Sequence, residues 1–191
     1  MQKYTKIILI VVLSCVLLFL ATGIAVTYIL PDLFGQFGTN NTSVIAGQGE
    51  KLLNKKAPYF DLPNNLSGRV KLSEFVNTPL VVVFWATWNK GSTNQIKIID
   101  DYLSGDNTQK SLVSFLAIDS QEDISVAKSF IKRGGYNVPI GLDAYGSVTE
   151  NYNIKSLPTA YFIDRGGIIH EIYTGILSED MFADKIENIL K

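Results

Sequence analysis

The sequence predicts an α/β domain, a sheet with helices over both faces, behind one N-terminal apolar span. Two observations predict it. Strand-like runs alternate with helix-like stretches, then a hairpin signal and a last helix close the chain. The stretch Pro79 to Gln95 opens with an unbroken apolar, β-branched and aromatic run, the length of a strand buried on both faces, and switches at once to helix-starting residues. A strand feeding a helix presents its connecting loop at the carboxyl edge of the sheet, so the loop after Trp85 is the predicted site.

The first element is the span. Lys3 and Lys6 precede an uninterrupted apolar segment from Ile7 to Leu30, ended by Pro31-Asp32. At ~1.5 Å per residue it exceeds a hydrocarbon core of ~30 Å, so it crosses with some tilt. Both lysines lie before it and the next positive charge is Lys51, which puts residues 1–6 in the cytoplasm and everything after Leu30 on the periplasmic or extracellular face of the cell membrane. Two alternatives stay open. Val12-Leu13-Ser14-Cys15 resembles a lipoprotein box, although Val16 to Leu20 stay apolar where a mature lipoprotein turns polar. A cleaved secretory signal would have a shorter apolar region and a better cleavage site than Ala21-Thr22-Gly23. All three export the domain. Residues 31–50, rich in Gly, Asn, Thr, Ser and Gln, have linker composition, and a globular domain follows over 51–191.

Within that domain, Ile96, Ile99, Tyr102 and Leu103 fall close to helical spacing, giving an amphipathic helix from about Ser92 to Leu103. Leu112 to Ile118 is the next strand, closing with Asp119-Ser120. A helix over about Ile124 to Lys132 carries Val126, Ala127, Phe130 and Ile131 on one side and ends at Gly134-Gly135. Val138-Pro139-Ile140 is a short extended piece, Asp143 to Tyr152 a turn and short helix, and Thr159 to Ile163 a strand. Gly166-Gly167 turns tightly into the strand Ile168 to Tyr173. Ser178 caps the last helix, which runs to Leu190 and buries Met181, Phe182, Ile186, Ile189 and Leu190.

Four segments carry a family resemblance. Phe84-Trp85-Ala86-Thr87-Trp88 resembles the segment before the Cys-x-x-Cys pair of thioredoxin-like proteins, in particular the membrane-tethered TlpA/ResA-like redoxins, an AhpC/TSA-related group of thiol-disulfide oxidoreductases. Lys56 to Leu62 and Gly68 to Phe75 are similar to that family's opening, a short hairpin leading into a turn of helix. Ser156-Leu157-Pro158-Thr159-Ala160-Tyr161-Phe162-Ile163-Asp164 resembles its cis-proline segment. The resemblance implies a thioredoxin-like fold, a central mixed sheet flanked by helices, over about Leu52 to Lys191, with Pro158 in cis. It also implies a role in thiol or cytochrome maturation in the cell envelope.

The four positions that hold the family's two cysteines are Asn89, Lys90, Gly91 and Ser92, so the motif is filled and the sulfur is absent. Thiol-disulfide exchange needs a thiolate, and an asparagine amide is no substitute nucleophile. Asn89 suits the start of a helix, where its side-chain oxygen caps free backbone N–H groups. Ser92 keeps a hydroxyl but needs an adjacent base, and none is visible nearby in sequence. Val83 stands where many thioredoxins bury an acid, so that part of the dithiol machinery is also expected to be missing. The proline loop is intact. In the family its backbone pairs with an extended substrate segment, a β-augmentation that needs no thiol. This nominates Trp88, Ser156, Leu157 and Pro158 as binding residues, against the alternative that the proline merely shapes the loop.

The rest of the sequence narrows the function by exclusion. Net charge is −1 with no basic run, which argues against nucleic acid. Cys15 is the only cysteine, so no disulfide within the chain and no cysteine-based metal site can form, though Cys15 would trap a dimer formed through the span. Trp85 reads as core. His170, flanked by Ile168 and Ile172 at strand spacing, reads as structural, without a partner set for a metal. Lys90 reads as solvated, as do the acids Asp100-Asp101 and Glu122-Asp123. No cofactor is expected. The expected function is a tethered, non-catalytic module that holds an extended segment of an envelope protein. The alternative is an enzyme that works with a partner's cysteines or through Ser92 and Lys90, and a passive spacer is a third possibility.

Overall fold

Two short strands, Asp61–Pro63 (β1) and Arg69–Lys71 (β2), pair antiparallel with Leu62 opposite Val70. Asn64 makes the turn between them, its Oδ1 accepting from the amides of Leu66 at 2.9 Å and Gly68 at 2.7 Å. One turn of 3-10 helix, Leu72–Phe75, leads into the sheet. The remaining elements are Leu80–Trp85 (β3), Lys90–Ser104 (α1), Ser114–Ser120 (β4), Ile124–Gly134 (α2), Ile140–Asp143 (β5), Ser147–Asn151 (α3), Thr159–Ile163 (β6), Ile169–Thr174 (β7) and Glu179–Leu190 (α4). The computed structural model describes residues 51–106 and 108–191.

The main sheet has the order β5-β4-β3-β6-β7. β3, β4 and β5 run parallel, and β6 and β7 are antiparallel to their neighbours, so the sheet is mixed and the fold is thioredoxin-like. Every residue of β3 is buried because both faces are covered. Val81, Val83 and Trp85 pack under α1, α2 and α4, with Ile96, Ile99, Ala127, Ile131, Phe182 and Ile186 as their cover. Leu80, Val82 and Phe84 face the other way, onto the β1–β2 hairpin and Val148 and Tyr152 of the α3 region. There Phe84, Tyr152 and Tyr161 form a ring cluster with centroids 5.0 to 5.8 Å apart, and the Tyr152 hydroxyl donates to Pro58 O at 2.9 Å.

Several local expectations shift. β4 begins at Ser114, not Leu112, because a 3-10 turn over Gln109–Ser111 occupies the approach and leaves Leu112 exposed. The strand expected around Pro139 starts at Ile140. Val126 lies outside the buried stripe of α2, which runs through Ala127 and Ile131, and is exposed. A register irregularity between β6 and β7 buries Ile169 and turns His170 to solvent, where its ring pairs with Asp164 at 2.9 Å. The span at 7–30, Cys15 and the linker lie outside the described residues. Among the described residues no helix is long and apolar enough to cross a membrane.

Phe182 meets Tyr102, Phe115 and Phe162 at centroid distances of 6.2 to 6.3 Å and is fully buried. Phe182→Ala is therefore expected to destabilise the solubilised chain by about 3–5 kcal/mol. Trp88→Ala, on an exposed ring, should stay within about 0.5 kcal/mol of the parent. Urea denaturation of both variants checks the contrast.

Candidate functional site

Sheet direction brings the site loops together. The parallel strands β3 and β4 end at one edge, and β6, running the other way, begins there with Thr159 opposite Phe84. The loop after β3 and the loop before β6 thus meet, and the Leu157–Pro158 peptide between them is cis. Asn89 caps α1: its Oδ1 accepts from the Ser92 amide at 2.8 Å, which satisfies one of the free N–H groups at the helix start. Lys90 is the first helical residue and is solvent-exposed.

Gly91 is where the two loops touch. A Cβ there would lie 3.4 Å from Pro158 Cδ, 3.2 Å from Asn89 Oδ1 and 3.7 Å from Ile176 Cδ1, so glycine sets the closeness of the contact. Ile176 is held by its neighbours. Leu177 N donates to Gln95 Oε1 at 2.6 Å and Gln95 Nε2 donates back to Leu177 O at 3.2 Å, while Gly175 N donates to Pro158 O at 2.9 Å. From Gly91 an open groove of about 600 Å³ extends along α1, walled by Phe130, Tyr136 and Ile176 with Lys90 and Lys97 on its rim. Lys97 is ion-paired with Asp101 at 2.6 Å.

Beneath the loop stands a pair of acids. The Thr87 amide donates to Glu122 Oε2 at 3.1 Å and its hydroxyl donates to Glu122 Oε1. Asp119, paired in register with Trp85, is 0% exposed, and neither of its oxygens meets a donor among the described residues. Burial, then the adjoining Glu122 carboxyl and the charge of Asp143, push its pKa up to about 8.

The model of the AhpC/TSA family matches residues 53–172, more than half of the chain. This chain belongs to the AhpC/TSA family. The chain is 26% identical over 176 residues to the thiol-disulfide oxidoreductase ResA of Geobacillus kaustophilus, covering 92% of this chain and 93% of that one. It is 26% identical over 174 residues to ResA of Bacillus subtilis, covering 91% and 93%. Two solved structures share the fold. A thiol:disulfide interchange protein of Chlorobium tepidum superposes with a TM-score of 0.63 at 20% identity, over 71% of this chain and 96% of that one. StoA of Bacillus subtilis gives 0.60 at 16%, over 68% and 96%.

Within this AhpC/TSA member the expected site residues are spread out. Asn89, Gly91 and Pro158 converge. Trp88 is 67% exposed on the loop, and Ser156 and Leu157 are half-buried beside the proline. Ser92, considered as a hydroxyl nucleophile, is 0% exposed and its Oγ has no partner among the described residues, so it faces no substrate. Glu122 is corrected from a solvated acid to a ligand of the loop. Val83 is a buried packing residue, as expected, and an acid not singled out from the sequence, Asp119, stands on the adjacent strand beside Trp85. Asp123, by contrast, caps α2 through the Ser125 amide at 2.7 Å, and Asp100 accepts from Asn137 N at 2.7 Å. Sequence reasoning missed Gln95, Glu122 and Asp119. A signal was available only for Asp119, an acid at the end of an otherwise apolar strand.

Two outcomes follow from this geometry. An acid with a raised folded-state pKa binds its proton more tightly folded than unfolded. Its contribution to stability is therefore full below the ordinary value of 3.8 and is lost as pH rises towards about 8. Asp119→Asn should flatten that decline, which one proton limits to about 1.4 kcal/mol per pH unit, in urea midpoints measured across pH. Asn89→Cys with Ser92→Cys should form a disulfide, seen as a loss of two hydrogens in mass, because the helix N-terminus that favours a thiolate is already built. A persistently reduced pair in air would show that the loop geometry has drifted.

Proposed function

We propose that this chain is a membrane-tethered, thiol-free binding module that holds an extended segment of an envelope protein at the edge where the two site loops meet. The observation that carries this is the pairing of an intact loop contact, Gly91 against Pro158, with an asparagine cap in place of an attacking cysteine. The chain's only cysteine is Cys15, far from the site in sequence, and Ser92 is sealed. Binding would draw on the exposed Trp88 and on backbone groups around Leu157, with Phe130, Tyr136 and Ile176 giving apolar contact along the groove. Tethering rests on the apolar segment at 7–30 and its flanking lysines, and export of the domain follows from their asymmetry. The similarity to ResA proteins over nearly their whole length suits a client drawn from envelope thiol or cytochrome maturation.

A second reading, catalysis with cysteines supplied by the partner, is favoured by one observation: a buried acid lies under the loop at Asp119. The two readings share a groove and differ in whether a disulfide ever joins the client's own cysteines as a result.

Crosslinking and co-purification from native membranes tests the proposal, comparing the unmodified chain with Trp88→Ala and Ser156→Arg. A client retained by the parent and reduced about tenfold or more in both variants is the expected result. Equal recovery from all three chains, or none from any, removes the groove from the function.

A further inference from the structure

The acids beneath the loop are not used by the binding chemistry above, and their arrangement links the interior to the site. Asp119 is fixed in β4 and wholly buried, while Glu122, in the turn before α2, is half-buried and holds Thr87 by two hydrogen bonds. The charged groups acting on Asp119 are Glu122, three residues along its own connection, and Asp143, from β5; both are acids. β3 contributes Trp85, which does not titrate, and among the described residues no charged group of α1 or α2 acts on Asp119. Asp143 has donors of its own, the Thr149 amide and hydroxyl, each at 2.7 Å.

Two ionised carboxylates in contact, with no donor for either Asp119 oxygen, are unstable in a buried site. A single proton resolves the conflict. We infer that a proton held on Asp119 against Glu122 latches the loop at 86–89, so that the groove loses its shape when the proton leaves. With the proton in place, the Asp119 carboxyl donates to one Glu122 oxygen and Glu122 still accepts from Thr87 N–H and O–H. When the proton goes to solvent, like charges face each other. Glu122, on a turn, is the partner free to move, and it gives up Thr87.

A second contact carries the change to the groove wall. Trp85, beside Asp119, packs on Phe130 at 5.5 Å, and Phe130 packs on Tyr136 at 5.5 Å. Both Phe130 and Tyr136 line the groove. With Asp119 raised to about 8, the latch is closed at neutral pH and opens in mild alkali. This inference names the regulation of the groove and rests on the binding reading for its consequence, but not for its physics.

Fluorine NMR of the full chain in detergent micelles, labelled with fluorotryptophan, reads the latch with no partner present. The chain has two tryptophans, and Trp88→Phe assigns their resonances. Trp85 should shift with a midpoint near 8, and Trp88 should move with the same midpoint because the loop follows. Asp119→Asn should abolish both shifts. Glu122→Gln, which removes the neighbouring charge, should lower the Trp85 midpoint and leave Trp88 unresponsive. A Trp85 resonance flat from about pH 6 to about pH 10, a titration that survives Asp119→Asn, or a Trp88 resonance that stays still while Trp85 titrates overturns the latch. Because no client is involved, failure of the capture experiment would leave this result standing, and failure here would leave groove binding intact without pH control.

Discussion

Because β3 is buried on both faces from Leu80 to Trp85, that strand can offer chemistry only where it ends. Its backbone groups are consumed by β4 on one side and β6 on the other, and its side chains by two separate apolar layers. Parallel pairing with β4 sends the end of that strand, with Asp119, to the same edge. Antiparallel pairing with β6 sends the start of that strand, with Pro158, there as well. The convergence of Thr87, Asn89, Gly91, Pro158, Asp119 and Glu122 is therefore a property of strand direction before it is a property of any one residue. Gln95 completes it by tying the chain beyond β7 to α1, which sets Ile176 against Gly91.

Elements whose signals are local were readable in advance. Thr159–Ile163 is an apolar β-rich run beginning after a proline, and Glu179–Leu190 has both a serine cap and a helical stripe, so pattern and structure coincide. Asn89 was readable for the same reason, since a cap is a contact between near neighbours in sequence. β4 slid by two residues because Leu112 and Val113 continue its apolar pattern, and only the preceding 3-10 turn shows where pairing starts. Glu122 and Thr87 are 35 residues apart, and Gln95 and Leu177 are 82 apart. Periodicity does not encode such contacts. The two tryptophans, three positions apart, were separable because Trp85 closes the apolar strand and Trp88 falls in the loop after it, and one is core while the other stands in solvent.

The acid at Asp119 bears on how the missing sulfur is understood. Viewed along β3 alone, Val83 suggests that proton-handling groups left the site together with the thiols. Asp119 occupies the same side of the sheet one strand over, next to Trp85 rather than Val83. A buried carboxyl with no donor costs several kcal/mol if ionised and is tolerated chiefly when neutral and paired, so its persistence under a loop that has no thiol needs a local cause. The contact through Glu122 to Thr87 supplies one that requires no redox chemistry.

The residue at the start of α1 decides between chemistry and architecture. A helix N-terminus offers free N–H groups and a partial positive charge, which a thiolate can exploit as a nucleophile and a side-chain carbonyl can exploit as a cap. Asparagine is among the best caps and is worth about 1 kcal/mol over a non-capping residue. In this chain Asn89 uses that position to hold the loop, and the hydroxyl of Ser92 is buried beneath it, where no substrate reaches it. A loop fixed in this way keeps the contact between Gly91 and Pro158 without the two redox forms that a disulfide would impose on it. Its geometry then depends on the cap, the proline loop and the acids below, and of these only the acids respond to the solvent.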